Sequence, residues 1–361
     1  MNVDQRARAG LQFLGSLQVF SSTALQQQAE ADFDNAVEAP ALTRDFQHDT
    51  DRNGWLQRID QAREVVERSP AFRFNRLYQR YVAEENWVRA ITGVERRREV
   101  FAKVAPTAPP SGDPRLHLNP DLDMPDYYQG VEWHLQPGGL DGYDLSAAMA
   151  FSGFIPYVFA RGGFAAVAVG DNLLQQRRDV IQQFRSDNLK CIYDPGCGGS
   201  GTLGLCRERF PDAKLIGGDL SAQVLINGLK FSDKTGIHVE LWQEDARQTS
   251  QAGGSVDGVI SYALHHELPP EVSFDVLKEM YRILEPGGEM VISDPPPFRA
   301  VGPFQAVMLD WETENRSEPY FTEAGIFDLA QAMSDIGFVD VEEYPLQETR
   351  YPWVTRGRKP R

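Results

Sequence analysis

Hydrophobic positions divide the chain near residue 188 into two regions with different periodicities. In the first hundred residues, apolar side chains recur at spacings of three and four, which predicts helices over 5–33, 54–68 and 71–104. After residue 188, short apolar runs alternate with helical segments. This alternation is typical of a parallel sheet with helices on both faces.

The second region predicts a Rossmann-like, doubly wound sheet. Its strands are predicted at 190–194, 214–219, 238–242, 256–262 and 289–294, with helices at 203–209, 222–234 and 271–284. A further helix is predicted at 322–336, and 339–344 with 349–355 predicts an antiparallel hairpin that closes the sheet. The expected fold class is therefore α/β with a helical N-terminal domain.

Changes in composition suggest where the domains begin and end. Five prolines lie between residues 105 and 120, which disfavours a helix or a central strand there. The predicted organisation is a helical cap or dimerisation domain at 1–104, a proline-rich linker at 105–126, a lid or substrate-wall segment at 127–187 and a cofactor-binding catalytic domain at 188–361.

Charge and cysteine content narrow the function further. The chain has 52 acidic and 36 basic residues, a formal charge of −16, whereas nucleic-acid binding depends on basic contacts to phosphates, so we expect no nucleic-acid partner. Its three cysteines, Cys191, Cys197 and Cys206, lack the spacing of a zinc site or a disulfide framework, which favours a cytoplasmic protein without a bound metal. The apolar stretch 147–169 is interrupted by Arg161, so we expect no membrane span.

A glycine-rich turn is the strongest chemical motif. In CIYDPGCGGSG (191–201), a predicted strand ends in Asp194 and runs into a turn that opens a helix. The glycines let the backbone approach a ligand, and the helix start offers amide donors. The spacing of Gly196, Gly198 and Gly201 fits a dinucleotide fingerprint, although the same spacing also occurs in ordinary tight turns.

Two acids at strand ends strengthen the cofactor hypothesis. Asp219 ends the second predicted strand, where an acid can accept both hydroxyls of a ribose; the alternative is an N-cap role for Asp219 or for Ser221. Asp245 follows the third predicted strand and is placed to accept from an amino group such as that of adenine. Its alternative is an exposed loop acid.

These motifs resemble the class I S-adenosylmethionine-dependent methyltransferases over about residues 188–361. The string DPGCGGSGTLGLCRERFPDAKLIGGDLSAQVL resembles the first two motifs of that family, and RILEPGGEMVISD resembles its text before and into the fifth strand. The resemblance implies S-adenosyl-L-methionine as cofactor, bound by Asp194, Gly196, Gly198, Asp219, Leu220, Asp245, Ala246 and Tyr262. Ser200 departs from the family pattern, because it stands where a third glycine often falls.

The segment SYALHHELPPE follows the fourth predicted strand, at the carboxyl edge where open sheets bind ligands. It resembles the catalytic pair of plant-type small-molecule O-methyltransferases, with His266 as the candidate base and Glu267 as the following acid. Many class I members instead carry a histidine here that packs or orients, and we expect His265 to be structural. Methyl transfer from a sulfonium requires neither a metal nor a hydride carrier.

The acceptor pocket is the least recognisable part of the sequence. Aromatic residues before the first strand and after the fifth are candidates, and core or interface packing is their alternative role. The candidates are Tyr127, Tyr128, Trp133, His134 and Trp311, with Tyr320 as a weaker one.

The sequence therefore predicts a cytoplasmic methyltransferase acting on a small molecule, with oxygen as the first acceptor considered and sulfur, nitrogen and carbon open. A homodimer formed through the N-terminal helices is one arrangement left open. Two alternative functions are an NAD(P)-dependent oxidoreductase that uses the same glycine turn and an inactive binding protein with a methyltransferase fold.

Overall fold

The structure is a computed structural model that describes residues 2–104, 112–162 and 172–361. The α-helices, in chain order, are α1 Gln5–Phe20, α2 Gln26–Asp34, α3 Ala39–Asp45, α4 Arg52–Val66, α5 Pro70–Glu95, α6 Arg98–Val104, α7 Ser146–Met149, α8 Ala160–Gly162, α9 Leu173–Ile181, α10 Gly201–Arg209, α11 Ala222–Thr235, α12 Pro270–Ile283, α13 Pro303–Asn315, α14 Phe321–Ile326 and α15 Leu329–Ile336. The strands are β1 Leu116–His117, β2 Cys191–Pro195, β3 Lys214–Asp219, β4 Glu240–Gln243, β5 Val256–Tyr262, β6 Leu284–Asp294, β7 Val339–Pro345 and β8 Trp353–Arg358.

The chain forms two compact units, each assembled from three separate stretches. The helical unit comprises Met1–Pro106, Glu132–Asn172 and Pro296–Ile326, and the sheet unit comprises Thr107–Val131, Leu173–Pro295 and Phe327–Arg361. The functional boundaries predicted from sequence run consecutively along the chain, whereas the compact units do not. The cap, linker, lid and catalytic roles assigned to those stretches stay predictions.

The helical unit contains the N-terminal helices expected from the three-and-four periodicity. The predicted helix at 5–33 corresponds to α1, the π-helical segment Ser21–Leu25 and α2, while the helix at 71–104 is divided into α5 and α6. Side-chain caps define the starts of α1 and α5, because Asp4 accepts from the backbone of Ala7 and Ser69 from that of Phe72.

The helical core forms where α1 and α5 face the segment around α7. Leu11, Leu14, Val82, Ala90 and Met149 belong to one buried apolar cluster. A π-helical segment, Ala150–Phe159, continues α7. The part of the apolar stretch 147–169 beyond residue 162 lies outside the described residues. Within the described parts of the chain, no helix is long and apolar enough to cross a membrane.

The sheet unit has eight strands in the order β1-β4-β3-β2-β5-β6-β8-β7. Strands β1 to β6 pair in parallel, and β8 pairs antiparallel with both β6 and β7. Helices alternate with the parallel strands, which is the doubly wound α/β arrangement predicted from sequence. The antiparallel β7–β8 pair confirms the expected closing hairpin.

Local sequence explains the differences between predicted and observed elements in this sheet. The last strand begins at Trp353 rather than at residue 349, and Pro352 just before it has no backbone N–H to donate to a ladder. The helix predicted at 322–336 is interrupted, and Asp328 caps the second part by accepting from the backbone N–H of Gln331 at 2.8 Å. The predicted linker includes the two-residue edge strand β1, which pairs with β4.

The strand order reverses between β2 and β5. From β2 the sheet continues through β3 and β4 on one side, and from β5 through β6 on the other. In open α/β sheets, ligands bind beyond the carboxyl ends of the strands at this switch point. The carboxyl ends of β2 and β5, at Pro195 and Tyr262, therefore define where a ligand is expected.

Candidate functional site

The glycine turn after β2 has a backbone that few residue types adopt. Gly196 and Gly198 have φ values of 64° and 51°, in the left-handed region that favours glycine. Ser200 also lies in this region, at φ 63°, immediately before α10 begins at Gly201. The serine that departs from the family pattern therefore keeps a conformation that a glycine would adopt readily.

The turn also leaves space for a ligand. A Cβ atom added to Gly198 or Gly201 meets no heavy atom within 4 Å, so these positions border open space. By contrast, a Cβ on Gly196 would lie 2.6 Å from Cδ1 of Leu264. The turn is thus packed at its base and open at Gly198, next to the amides at the start of α10, which suits a polar ligand.

Asp219, at the end of β3, is tied directly to this turn. Its Oδ2 atom accepts from the backbone N–H of Gly198 at 2.9 Å, and its Oδ1 atom accepts from that of Ser221 at 2.9 Å. The N-cap of α11 is Ser221, whose Oγ accepts from the backbone N–H of Val224. The structure therefore gives the cap to Ser221 and places the Asp219 carboxylate beside the open part of the turn.

Asp194 is buried at the end of β2, with 2% of its surface exposed. Burial raises the pKa of its carboxyl well above the ordinary value; the charge of Arg177 opposes this rise and that of Asp219 adds to it. A cationic group bound beside Asp194 would favour the ionised carboxylate. This site therefore suits an ammonium group more than an anion alone.

Asp245 follows β4 and is not an exposed loop acid, since its side chain is 15% exposed. It accepts from the backbone N–H of Arg247 at 2.8 Å and from Nη2 of the same residue at 2.7 Å. The Arg247 guanidinium lies 5.5 Å from the ring centre of Tyr127, and Ala246 packs on the core of the sheet unit. Asp245 is thus held by an arginine.

A cavity of about 720 Å³ opens at this edge of the sheet unit, beside Asp245. One of its walls is formed by His117 of β1 and Trp242 of β4, whose rings stack with centres 3.7 Å apart and planes inclined by 14°. Glu240 accepts from Nε1 of Trp242 at 3.0 Å. The predicted adenine-binding acid therefore borders a cavity with a flat aromatic wall.

A hydrogen-bonded group of ionisable side chains lies at the ends of β5 and β6. The Nδ1 atom of His266 is 2.5 Å from Oδ1 of Asp294, and its Nε2 atom is 3.5 Å from Oε1 of Glu267. The carboxylate of Asp294 also accepts from the backbone N–H groups of His265 and His266, at 3.2 and 3.1 Å. Asp294 thereby fixes both the ring and the backbone of His266.

This group favours a charged imidazole. His266 is buried, and burial lowers its pKa, but the hydrogen bonds that the ring donates to Asp294 and Glu267 outweigh this effect and leave the pKa well above its ordinary value. For Asp294 the two effects have the opposite signs. Burial raises the pKa of its carboxyl, but the hydrogen bond that it accepts from His266 lowers it by more, so the net shift of the pKa is downward. A raised pKa for His266 and a lowered pKa for Asp294 are the shifts expected when an imidazolium is paired with a carboxylate.

His265 has different surroundings. Its Nδ1 atom lies 2.6 Å from Oγ of Ser273, and burial lowers its pKa. A neutral, hydrogen-bonded ring within the fold fits the structural role expected for it.

Sequence reasoning missed three residues near the switch point: Arg177, Asp294 and Tyr351. The guanidinium of Arg177 lies 4.3 Å from the ring centre of Tyr262, whose hydroxyl is 3.1 Å from that of Tyr351. Asp294 had a usable signal, because it ends a predicted strand at the ligand-binding edge. Arg177 and Tyr351 had none, since they lie in segments without a recognisable motif.

The candidate acceptor residues fall in both units. Tyr127 and Tyr128 belong to the sheet unit, where Tyr127 packs partly against the core. In the helical unit, Trp133 is buried, and its ring centre lies 6.4 Å from that of Tyr320.

The remaining two candidates also lie in the helical unit. His134 bonds the buried Glu318 through Nδ1 and has a left-handed backbone with φ 56°. The guanidinium of Arg76 lies 4.4 Å from the ring centre of Trp311. A role in acceptor binding stays a prediction for all of these residues.

The region around the glycine turn is similar to known methyltransferases. Residues 192–288 match a family described as a methyltransferase domain. The chain is 30% identical over 125 residues to a trans-aconitate 2-methyltransferase of Azoarcus sp. (strain BH72), covering 35% of this chain and 47% of that protein. It is 32% identical over 132 residues to a demethylmenaquinone methyltransferase of Thermus thermophilus, covering 36% and 59%. The chain thus spans about half of the length of these two curated relatives.

Two solved methyltransferase structures are similar to this chain over about half of its length. The S-adenosylmethionine-dependent methyltransferase SibL in its apo form has a TM-score of 0.42 at 20% identity, covering 51% of this chain and 55% of that one. A geranyl diphosphate C-methyltransferase from Streptomyces coelicolor, in complex with S-adenosyl-L-homocysteine, has a TM-score of 0.41 at 16% identity, covering 51% and 75%.

The domain match covers β2 to the start of β6, the segment that holds the glycine turn, Asp219, Asp245 and His266. The sheet has the switch point and the closing antiparallel pair expected for this fold, and the family uses S-adenosylmethionine as its cofactor. The chain therefore contains a methyltransferase domain with the fold of the class I S-adenosylmethionine-dependent enzymes.

Proposed function

We propose that this protein transfers a methyl group from S-adenosylmethionine to a small-molecule acceptor and that the acceptor atom is oxygen. The observation that carries the proposal is the open glycine turn at the switch point, with Asp219 bonded to it through Gly198 at 2.9 Å. Sulfur, nitrogen and carbon are the other acceptor atoms that the same domain can serve.

The residues present fit the cofactor. Gly198 borders open space, Asp219 presents a carboxylate beside it, and buried Asp194 favours a cationic neighbour such as an α-ammonium. We assign the ribose to Asp219 with Leu220, the adenine to Asp245 with Ala246, and the methionine portion to Asp194, Gly196, Gly198 and Tyr262. When bound, S-adenosylmethionine supplies an electrophilic methyl group on a sulfonium.

His266 is proposed as the base that removes the acceptor's proton. Asp294 holds the ring through Nδ1, so Nε2 is the atom that accepts a proton once the ring is neutral. Because the pKa of His266 is raised, a smaller fraction of the rings is neutral at a given pH, but each neutral ring is a stronger base. Glu267, 3.5 Å from Nε2, helps to stabilise the protonated ring.

A small acceptor is supported by two observations. The formal charge of −16 opposes binding to nucleic acid, and the two relatives are named for trans-aconitate and demethylmenaquinone. The NAD(P)-dependent alternative has no support in the domain match, which is to a methyltransferase domain. We also propose a cytoplasmic location, on the basis of the three cysteines, which form no disulfide in the structure.

We further propose that a second copy of this chain covers an exposed apolar stripe on α5. The stripe comprises Phe74, Leu77, Tyr81 and Val88, which are 37 to 59% exposed and lie on one face of the helix. Large exposed apolar patches mark interaction surfaces.

Charge placement on α5 favours a second copy as the partner. Arg73 lies one turn before Leu77, and Glu84 lies about one turn after Tyr81. If two α5 helices pair antiparallel with Leu77 of one copy facing Tyr81 of the other, Arg73 approaches Glu84 at both ends of the stripe. Such pairing is self-complementary, as a twofold interface requires.

Calorimetric titration tests the cofactor proposal. The protein is titrated with S-adenosylmethionine, S-adenosylhomocysteine and NAD, and Asp219→Ala serves as the variant. We expect both sulfur nucleotides to bind and Asp219→Ala to lose most of that affinity. Absence of binding, or preference for NAD, would overturn the proposal; binding without transfer to any acceptor in a subsequent screen would instead favour an inactive binding protein.

A further inference from the structure

A cavity of about 370 Å³ lies wholly within the helical unit, and its volume is in the range of small-molecule sites. Its walls come from the end of α4, the first turn of α5, and from α13 and α14. None of the residues that we assign to the cofactor or to proton transfer lines it. The cavity is therefore a feature that the proposed methyl transfer does not account for.

The inner wall of this cavity is apolar and aromatic. Phe72 and Val307 are buried in it, and Trp311 is partly buried. The guanidinium of Arg76, which does not line the cavity, lies 4.4 Å from the ring centre of Trp311 and 5.7 Å from that of Phe72. Cation–π contacts from outside the cavity thus hold both rings in place.

Arg76 is buried without a full set of partners. Its side chain is 8% exposed, and its Nη1 atom has no hydrogen-bond partner among the described residues and lies 4.0 Å from Oε1 of Glu312. Burial lowers its pKa to about 10, so the guanidinium stays charged at neutral pH. Burying an incompletely paired charge costs stability, which an apolar side chain would avoid. The contact with the two rings is what this arginine provides.

The polar edge of the cavity carries uncompensated negative charge. Asp310 is paired with Arg63 and accepts from Oγ1 of Thr322 at 2.6 Å, so its own charge is compensated. Glu67 and Glu314 are exposed and form no ion pair within the described parts of the chain. Two carboxylates, one after α4 and one on α13, therefore border the cavity without a cation.

We propose that this cavity is a second binding site, which takes an organic cation with a flat aromatic body, an arylalkylamine. The ring of the ligand lies against Trp311 and Phe72, and its ammonium group faces Glu67 and Glu314. An anion of the same shape is repelled by the two carboxylates. This inference does not rest on the proposed function, because every residue in it belongs to the helical unit.

Three probes separate the ring from the charge. Phenethylamine carries both features, phenylpropanoate keeps the ring with the opposite charge, and hexylamine keeps the charge without the ring. Each is titrated calorimetrically, without cofactor, into the full-length wild type, into Trp311→Leu and into the double variant Glu67→Gln with Glu314→Gln. The matched control is Glu64→Gln, because Glu64 is an exposed acid on α4 that does not line the cavity.

We expect the wild type to bind phenethylamine at one site and more tightly than either other probe. The double variant should weaken this binding about 3- to 10-fold, the effect of losing two exposed ion pairs, and added salt should weaken it in the wild type. Trp311→Leu should weaken it by about the same factor through loss of the aromatic contact. Glu64→Gln should bind like the wild type.

Other outcomes identify which statement fails. Equally tight binding of phenylpropanoate would overturn the assignment of charge, and equally tight binding of hexylamine would overturn that of the aromatic wall. If the wild type does not bind phenethylamine, or if the double variant binds it like the wild type, the cavity is not such a site. Should Trp311→Leu lose its helical circular dichroism, the double variant decides alone, because it changes only exposed side chains. Cofactor titrations are separate, so each of these failures leaves the proposed methyl transfer intact.

Discussion

His266 and Asp294 form a buried ion pair in which Nδ1 and Oδ1 are 2.5 Å apart. His266 lies in the short helical turn after β5 and Asp294 is the last residue of β6, so the pair joins adjacent strand ends of the sheet unit. Asp294 also accepts from the backbone N–H groups of His265 and His266. One carboxylate therefore sets both the position and the charge of the proposed base.

The proposed base is tested by removing its imidazole. His266→Gln should lower turnover about 100- to 10,000-fold, the range expected for loss of a general base. Affinity for S-adenosylmethionine should stay unchanged, because His266 is not among the residues assigned to the cofactor. The measurement compares kcat with the calorimetric Kd, and His265→Gln is the neighbouring control. Unchanged kcat in His266→Gln would remove this residue from the mechanism.

The pH dependence of turnover provides a separate test of the same residue. Because the pKa of His266 is raised above its ordinary value of about 6.5, the active neutral form accumulates only as pH rises past that raised pKa. We expect kcat to increase with pH and to reach its plateau on the alkaline side.

Asp294→Asn is the informative variant for that profile. Removing the carboxylate takes away the main interaction that raises the pKa of His266, while burial continues to lower it. The acid limb of the pH–rate profile should therefore move to lower pH, with a reduced plateau because the ring is less well held. A profile that keeps its wild-type position would show that His266 is not the group titrating.

The free energy of unfolding should also depend on pH through the His266–Asp294 pair. His266 has a raised pKa in the folded state, so its contribution to the free energy of unfolding is fully present below about pH 6.5 and is lost as pH rises through the raised value. Urea unfolding across this window should show a decline in the wild type that is absent in His266→Gln. Parallel declines in both proteins would assign the effect to other groups.

The sequence predicted the sheet better than it predicted the site. Strands 214–219 and 256–262 have the predicted bounds, because short apolar runs end there at residues that do not continue a strand. The two-residue strand β1 was missed, since its pairing with β4 depends on a partner more than 120 residues away rather than on local pattern.

The site residues show the same limit. Asp219 and His266 are candidates that the sequence alone could name, because Asp219 ends a strand and His266 follows one, each within a local motif at the edge of a parallel sheet where ligands bind. Arg177 was not recognisable, because its place beside Tyr262 and Thr202 results from how α9 packs on the sheet unit. A residue that reaches this edge through tertiary packing alone leaves no spacing signal in a single sequence.

Substitution by alanine should have different effects on stability at Gly196 and at Gly199, two positions of the same turn. Gly196→Ala should lower the free energy of unfolding by roughly 2 to 5 kcal/mol, because φ is 64° and the new Cβ would lie 2.6 Å from Leu264. At Gly199, an added Cβ meets no heavy atom within 4 Å. Gly199→Ala should therefore stay within about 1 kcal/mol of the wild type in urea unfolding. Equal losses at both positions would contradict the conformation described for the turn.

The apolar stripe on α5 predicts a dimer that one charge disrupts. Leu77 is 59% exposed at the centre of the stripe, so Leu77→Glu would place two like charges in an apolar interface between copies. We expect the wild type to sediment as a dimer and Leu77→Glu as a monomer with unchanged circular dichroism. Val37→Glu is the matched control, because Val37 is 94% exposed and lies outside α5. A monomeric wild type at the highest attainable concentration, or a dimeric Leu77→Glu, would show that a second copy does not cover this surface.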